Sequence, residues 1–351
     1  MKIIQICAGL ANLTFQYIFG RFIEETTGEE VIFDDLYFHA IKPRVDEIRN
    51  KQLAAEENIK GIHNGYELEY VFPNIKKPLL LSQCIHPDIW RFMTNSPGAD
   101  FWPQTLTAGY LLKFEKPDLL LCAEYNRNYK EAYELFTGKK IYALVRAFTP
   151  QLATLTGNTY FIGDWINPSY FNKFKNKFIN ELAFKPIISE QNKKYENKIN
   201  TTMSVGVHIR RGDYIHHKLT TDPKYFFDII SKIKTEISDA NFFIFSNDIN
   251  WCKKNQSNLG LPINATTFVE GNFDYKNNYI DMQLMALCKV LIVNPGSAFS
   301  LLAALLNKQK GFSPIYSHKD FIKNKNDEKI SLKWYAENDP NITFFGKGEL
   351  P

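Results

Sequence analysis

The stretch MSVGVHIRRGDY, residues 203–214, determines the fold that we predict for this chain. Its apolar side chains stand at every second position, at Met203, Val205, Val207 and Ile209. A period of two is typical of a β-strand that buries one face. Arg210 and Arg211 follow at once, so this strand is expected to bring two positive charges to one end of a sheet.

Strand and helix patterns alternate downstream of this stretch. Asp222-Pro223 is typical of a helix start, with the Asp as N-cap and the Pro in the first turn. Further strand-like or helix-like segments follow at residues 242–246, 251–258, 266–269, 280–287, 290–293 and 298–307. Alternation of this kind predicts an α/β domain, with a parallel sheet and helices on both of its faces.

The upstream half repeats the pattern less clearly. We expect strands at residues 2–6, 31–33 and 79–81 and a helix at 12–26, whereas residues 141–148 fit a strand or a helix equally. A polar run at residues 190–202 indicates a surface helix plus a linker. We therefore predict two domains, residues 1–195 and 196–351, with a tail of about 30 residues packing back on the first domain.

Composition excludes several classes of protein. The net charge of +4, from 42 basic and 38 acidic residues, is too small to indicate a nucleic-acid partner. Five scattered cysteines without a Cys-x-x-Cys pair indicate reduced core residues of a cytoplasmic protein, rather than disulfides or a zinc site. No apolar run is long enough to span a membrane, so we expect at most peripheral association with an inner membrane.

The sequence lacks the motifs of several metal-dependent, nucleotide-hydrolysing and serine-nucleophile enzyme classes. There is no Asp-x-Asp to hold a divalent ion against a nucleotide diphosphate, no Walker loop, no Gly-x-Ser-x-Gly elbow and no His-Glu-x-x-His helix. We therefore expect a reaction that needs no metal and no other cofactor.

Arg210 and Arg211 are the first candidates for a ligand site. The carboxyl end of a core strand is where ligands bind in open α/β sheets, and the planar guanidinium fork suits a diphosphate. Fixed cations also stabilise a negative leaving group without a metal. The alternative is an ion-pair turn in which Asp213 binds Arg211.

Three further features fit the same ligand, and each has an ordinary structural alternative. The segment NPGSA, residues 294–298, offers free backbone amides to an anion at a helix start, or it uses Ser297 only as an N-cap. Asp281 can accept hydrogen bonds from the N1–H and N2 edge of guanine, or it complements a helix dipole. The glycine turn at Gly9 and Asn12 can approach a ligand, although Gly-x-Gly-x-x-Gly spacing is absent.

Taken in order, these segments resemble the bacterial α-1,2-fucosyltransferases of glycosyltransferase family 11. VGVHIRRGDY (205–214) is similar to the family's His-x-Arg-Arg-x-Asp-Tyr motif. FIFSNDINWC (243–252) resembles its second block, and DMQLMALCK (281–289) resembles the start of its third. The turn at residues 9–17 resembles its N-terminal motif, and YFIG (160–163) a shorter mid-chain block.

The resemblance implies two Rossmann-like α/β domains in a GT-B-like architecture. It also implies inverting transfer of L-fucose from GDP-fucose to O2 of a galactose on an oligosaccharide, lipid-linked or surface-polysaccharide acceptor, as in O-antigen biosynthesis. By the same resemblance Arg210 contacts the donor β-phosphate, Asp281 guanine and Ser297 a phosphate. The full set of implied GDP-fucose-binding residues is His208, Arg210, Arg211, Asp248, Asp281, Ser297, Gly9 and Asn12.

The chain departs from the family pattern at residues 11–13, at Asp164 and within residues 294–302. Three alternatives therefore stay open: a different linkage, a different GDP-sugar, or a catalytically silent GDP-sugar- or glycan-binding protein. Catalysis also needs a base for the acceptor hydroxyl. We name Asp213 as the candidate base beside Arg210, with Asp34 and Asp35 as weaker candidates.

Overall fold

The computed structural model describes residues 1–54, 65–97, 99, 103–124, 141–144, 148–216, 218–272, 277–307, 315–316 and 342–344. The chain forms two compact units, and the main boundary between them along the sequence lies between Ala183 and Phe184. The boundary that composition predicts, residue 195, lies inside a helix that spans Glu190–Thr201. Each unit contains its own sheet.

Unit 1, the N-terminal unit, is built on a parallel sheet. Its strands are β1 (Lys2–Gln5), β2 (Val31–Asp34), β3 (Leu79–Leu80), β4 (Leu120–Glu124), β5 (Ile141–Leu144), β6 (Thr159–Ile162) and β12 (Ile342–Phe344). They lie in the order β12-β5-β4-β6-β1-β2-β3, and every neighbouring pair is parallel. Strand β12 therefore brings a C-terminal segment of the chain into the sheet of the N-terminal unit.

The helices of the N-terminal half are α1 (Leu10–Thr27), α2 (Leu36–Ala54), α3 (Leu68–Val71), α4 (Pro87–Thr94), α5 (Pro103–Tyr110), α6 (Pro168–Lys173) and α7 (Lys175–Glu181). Short 3-10 helices cover Leu81–Gln83 and Pro150–Thr154, and a π-helical turn covers Leu111–Glu115. Helix α1 packs closely on β2, since a Cβ atom at Gly20 would lie 2.4 Å from Cζ of Phe33. It ends at Gly28, whose φ of 75° is the left-handed conformation that glycine adopts easily.

Unit 2 carries the second sheet. Its strands are β7 (Met203–Ile209), β8 (Ala240–Ser246), β9 (Thr266–Phe268), β10 (Val290–Ile292) and β11 (Ile315–Tyr316). They lie in the order β11-β10-β7-β8-β9 and are all parallel. The alternating side chains of β7 face one buried apolar cluster, where Val205, Val207 and Ile209 pack with residues of the neighbouring strands and helices.

The helices of the C-terminal half are α8 (Glu190–Thr201), α9 (Gly212–His216), α10 (Pro223–Glu236), α11 (Ile249–Lys254), α12 (Asn278–Met285) and α13 (Ala298–Leu306), with a 3-10 helix at Ile263–Ala265. Asp222 caps α10 as predicted, since its side chain accepts a hydrogen bond from the Lys224 N–H. Ser189 caps α8 by accepting from the Asn192 N–H. The polar run 190–202 is therefore a helix that leads directly into β7, and the predicted linker is wrong.

The predicted α/β fold with two Rossmann-like, parallel-sheet domains is confirmed, and a GT-B-like architecture contains two such domains. Residues 141–144, which periodicity left undecided, form a strand because β4 and β12 pair with them on both sides. Of the five cysteines, all free, Cys84 is exposed, so the prediction that all five belong to the core is wrong for that one. Among the described helices, none has the length and apolar character needed to cross a bilayer.

Candidate active site

The strand order of unit 2 creates one position suited to a ligand. The chain runs from β7 outward through β8 and β9, and then returns to the opposite side of β7 with β10. In open α/β sheets, such a reversal separates the connecting segments at the carboxyl ends of the two central strands and leaves a crevice there. The segments that leave β7 and β10 at this point contain Arg210 and Asn294.

Asn294 ties these two strand ends together. Its side chain is fully buried, and its Oδ1 accepts a hydrogen bond of 2.9 Å from the Arg210 backbone N–H. Its Nδ2 donates to the Pro295 carbonyl at 2.8 Å, and its backbone N–H donates to Ser300 Oγ at 3.2 Å. The turn bends at Gly296, with φ of 75°, and the Gly296 carbonyl accepts from the Tyr214 hydroxyl at 2.8 Å. Helix α9 and the start of α13 are thereby linked through one turn.

The N-terminus of α13 directly follows this turn. Ser297 occupies the N-cap position, as the N-cap alternative predicts, but makes no cap hydrogen bond with its side chain, and the first turn holds no acidic residue. The first N–H groups of a helix lack intrahelical acceptors and carry partial positive charge. The Ser297 hydroxyl does not satisfy these groups, so the prediction that they bind an anion stays open.

His208 is the last residue but one of β7, and Arg210 follows directly after the end of this strand. The His208 side chain is 4% exposed, and the centroid of its ring lies 5.7 Å from the ring centroid of Phe299, in α13. Burial, reinforced by the charge of Arg210, lowers the pKa of His208 to about 3, so the imidazole is neutral at physiological pH. Within the described part of the chain, Nδ1 of His208 has no hydrogen-bond partner.

Arg211 points toward the β8 side. Its backbone N–H donates to Asn247 Oδ1 at 2.8 Å, and its guanidinium carbon lies 3.7 Å from the ring centroid of Trp251. Its Nε donates to Asp248 Oδ2 at 3.4 Å, while Asp248 Oδ1 caps α11 by accepting from the Trp251 N–H. Gly212 lets Asn247 approach closely, because a Cβ atom at this position would lie 2.3 Å from Asn247 Nδ2 and displace that side chain.

These contacts bear on the predicted ion-pair turn. Among the described side chains, the carboxylate partner of Arg211 is Asp248. The backbone of Asp213 lies in α9, and its side chain lies outside the described residues.

Asp281 stands in the first turn of α12, as predicted, and is partly exposed. Its Oδ1 accepts a hydrogen bond of 2.8 Å from Nδ2 of Asn272, a residue that follows β9. Desolvation in this environment raises the pKa of Asp281 to about 7, although the Asn272 hydrogen bond acts in the opposite direction. The Asp281 carboxyl group therefore ionises much less readily than an ordinary aspartate.

The two candidates in unit 1 lie at the equivalent position of the other sheet. Strand order reverses between β1 and β6, and Gly9 and Asn12 follow β1. Asn12 Nδ2 donates to Asp164 Oδ1 at 3.0 Å, which links the segments that leave these two strands. Gly9 is the residue before α1, in an extended conformation.

Asp34 and Asp35 are both buried at the end of β2 and both have partners. Asp34 accepts from the Tyr160 hydroxyl and the Leu36 N–H, and burial raises its pKa to about 6. Asp35 accepts from the N–H and the hydroxyl of Ser82. It also contacts Nε2 of His39 at 3.0 Å. Over the described ranges, no group of three or more His, Cys, Asp or Glu residues is placed so that it could hold a metal ion.

Comparison with known proteins identifies the family of this chain. The family model described as Glycosyl transferase family 11 matches residues 124–338, more than half of the chain. The chain belongs to glycosyl transferase family 11. The match includes β7, β8, β10 and both arginines of the candidate site.

Curated relatives of this family 11 member include transferases for two sugars. An alpha-1,2-colitosyltransferase of Escherichia coli is 37% identical over 161 residues, which cover 44% of this chain and 53% of that protein. The galactoside alpha-(1,2)-fucosyltransferase 2 of Mus musculus is 30% identical over 109 residues, or 29% of this chain and 30% of that protein. The chain thus spans about half, or less, of the length of the relatives it matches.

Solved structures with a similar course of the chain include two further transferases. The fucosyltransferase NodZ from Bradyrhizobium has a TM-score of 0.41 at 12% identity, over 87% of this chain and 91% of that one. POFUT1 in complex with GDP has a TM-score of 0.46 at 10% identity, over 90% of this chain and 99% of that one.

Sequence reasoning missed the asparagines of the site in this family 11 member. Asn247 and Asn294 each follow a core strand, and each accepts a hydrogen bond from the backbone N–H of one of the two arginines. Asn272 donates a hydrogen bond to Asp281. Their position in the sequence could have indicated this role, because short amide side chains directly after a buried strand are suited to bridging neighbouring strand ends. The stacking partner of Arg211, Trp251, lay within the quoted second block without a role.

Asp281→Asn is expected to stabilise the ligand-free protein in a pH-dependent way. The folded state keeps the Asp281 proton up to about pH 7, whereas the unfolded chain loses it near the ordinary value of 3.8. Between these values the folded state binds more protons, so its stability falls as pH rises. Asn does not ionise and still accepts from Asn272. Urea unfolding should show a gain of about 2–4 kcal/mol at pH 8 and almost none at pH 4.

The matched control is Asp228→Asn on α10, an exposed carboxylate that pairs with Lys224. This variant should change the free energy of unfolding by less than about 0.5 kcal/mol at either pH. An Asp281→Asn effect of equal size at both pH values would contradict the prediction.

Proposed function

We propose that this chain transfers L-fucose from GDP-β-L-fucose, with inversion, to O2 of a galactose on an oligosaccharide or surface-polysaccharide acceptor. The observation that supports this most is the Asn294 link between the Arg210 loop and the N-terminus of α13. It holds the Arg210 backbone beside the helix amides at a strand-order reversal, which is an arrangement suited to a nucleotide diphosphate.

The donor diphosphate would be held by these cationic groups. Arg210 would bind the β-phosphate through two parallel hydrogen bonds, and the Ser297 hydroxyl and the α13 amides would bind further oxygens. His208, neutral and with an unpaired Nδ1 within the described part of the chain, can hydrogen bond to the donor without adding charge. Arg211 would add long-range attraction for the anion, reduced by its ion pair with Asp248.

Chemistry at the anomeric carbon follows from this assignment. The bond between that carbon and the β-phosphate oxygen breaks, and its electron pair leaves with GDP. Arg210 and the helix amides stabilise the charge that develops on that oxygen. The acceptor hydroxyl oxygen forms the new bond from the opposite face and gives its proton to a base, for which Asp213 is our candidate. Gly9 and Asn12 are proposed as further donor contacts.

Transfer of a colitosyl group from its GDP-sugar is the second candidate function. It is favoured by the 37% identity to the alpha-1,2-colitosyltransferase, the higher of the two identities reported above. The two functions share the nucleotide site and differ only in the sugar that the protein accepts.

The deciding experiment is turnover of GDP-fucose and GDP-colitose with lactose, N-acetyllactosamine and galactosyl-N-acetylhexosamine acceptors. We expect GDP-fucose to be the better donor and NMR of the product to show an α-1,2 linkage to galactose. Faster turnover of GDP-colitose would support the second candidate instead. Tight GDP binding without turnover of either donor would mean a silent binding protein and contradict both proposals.

Arg210→Lys should lower kcat by more than tenfold and leave the fold intact. Lysine keeps the charge but loses the planar fork that binds a phosphate at two oxygens. A tenfold loss corresponds to about 1.4 kcal/mol of transition-state stabilisation. The control is Arg91→Lys, an exposed arginine on α4, which should leave kcat unchanged. Retention of more than a tenth of the wild-type kcat by Arg210→Lys would exclude this role.

We also propose that transfer needs no divalent metal, because the arginine and the helix amides already supply positive charge at the leaving group. The initial rate should therefore be unchanged in excess EDTA. Added Mg²⁺ or Mn²⁺ should act only late in the reaction, by sequestering released GDP. Loss of nearly all of the initial rate on chelation, with recovery by one specific ion, would overturn the proposal.

A further inference from the structure

Two buried asparagines form a closed pair next to Asp281. Asn192 lies in α8 and is 4% exposed, and Asn272 follows β9 and is 2% exposed. Asn192 Nδ2 donates to Asn272 Oδ1 at 2.8 Å, and Asn272 Nδ2 donates back to Asn192 Oδ1 at 3.0 Å. Each amide therefore satisfies the other, as two buried polar groups must.

The reciprocal pair and Asp281 together fix how the Asn272 amide is turned. The Asn272 oxygen accepts from the Asn192 amide. The amide nitrogen carries two hydrogens, and only one is needed for the bond back to Asn192. The second is directed at Asp281 Oδ1, at 2.8 Å. Turning both amides over would keep the pair but put the Asn272 oxygen against the carboxylate, so the contact with Asp281 selects the donor at this position and the pair with Asn192 holds it there.

Asp281 gains an orientation from this contact. Within the described residues it makes no ion pair, and Asn272 is the hydrogen-bond donor found for it. A carboxylate offers about four acceptor positions, and the described residues fill one of them. Its open positions suit a ligand edge with two adjacent N–H donors, such as the N1–H and N2 amine of guanine. Adenine presents an acceptor at N1 instead, which the carboxylate repels.

We propose that Asn272, held by Asn192, is a positioning residue that orients Asp281 toward the guanine base and so sets the nucleotide specificity. This inference rests on the proposed function, in which GDP is the nucleotide of the donor. The competing explanation is that Asn272 only tethers α8 to the segment after β9. Gln191 offers a matched control for that explanation, because it joins the same two segments through the Glu270 carbonyl at 3.1 Å and is itself exposed.

The experiment is calorimetric titration of the full chain with GDP and with ADP, for wild type, Asn272→Ala, Asn192→Ala and Gln191→Ala. Wild type should prefer GDP. Asn272→Ala should weaken GDP binding at least tenfold, equal to about 1.4 kcal/mol, and leave ADP binding within twofold of wild type. Asn192→Ala should lose part of the same preference, and Gln191→Ala none of it. A change in unfolding temperature without a change in preference would indicate a tether and overturn the inference.

A double-mutant cycle distinguishes positioning from an independent contact. If Asn272 acts through Asp281, adding Asn272→Ala to Asp281→Asn should cause no further loss of GDP preference. Additive losses would overturn the inference. Should Asn272→Ala fail to fold, Asn192→Ala provides the test, and a preference unchanged in that variant would overturn the inference as well. A wild type that binds ADP as tightly as GDP would instead count against the proposed function.

Discussion

The hydrogen bond from the Arg210 backbone to the Asn294 side chain is the contact on which the candidate site depends. It joins β7 and β10, the neighbouring strands between which the strand order reverses. Adjacent strands lie only about 4.8 Å apart, so a short amide side chain can bridge their ends. Because Asn294 also contacts Ser300 in the first turn of α13, the cationic loop and the helix N-terminus are held in one fixed relation.

Two ionisable groups of unit 2 have strongly shifted pKa values. Asp281 is desolvated and makes no ion pair among the described residues, and burial beside Arg210 keeps His208 in its neutral form. Both arrangements lower the stability of the ligand-free protein, since desolvated charges and unpaired buried polar atoms are unfavourable. Such groups are typical of functional sites, where a bound ligand supplies the missing partner.

In both units an asparagine side chain links the segments that follow two neighbouring strands. In unit 1 the Asn12 side chain reaches Asp164 across the ends of β1 and β6, as Asn294 reaches Arg210 across the ends of β7 and β10. In each sheet this is the position at which the order of the strands reverses. An amide suits the task because it both donates and accepts, is uncharged, and can therefore be buried once it is paired.

The sequence by itself determined the fold class, the strand that ends at Arg210, and most of the residues gathered at the β7 end. These follow from local rules: a period of two for β7, Asp222-Pro223 for the start of α10, and a guanidinium pair after an apolar strand. Local rules also account for the run 190–202, whose polarity predicts a surface helix plus a linker. The helix forms, capped by Ser189, but it continues to Thr201 and β7 begins at Met203, so no linker follows it.

Only the tertiary structure decided which residues meet. Asn294 lies 84 positions from Arg210, and Asn192 lies 80 from Asn272, so no local pattern relates them. The same is true of the ion pair between Arg211 and Asp248, which depends on β8 lying beside β7. Strand order is set by packing of the whole sheet. For that reason the sequence could name the charged groups of the site but not the neutral amides that orient them.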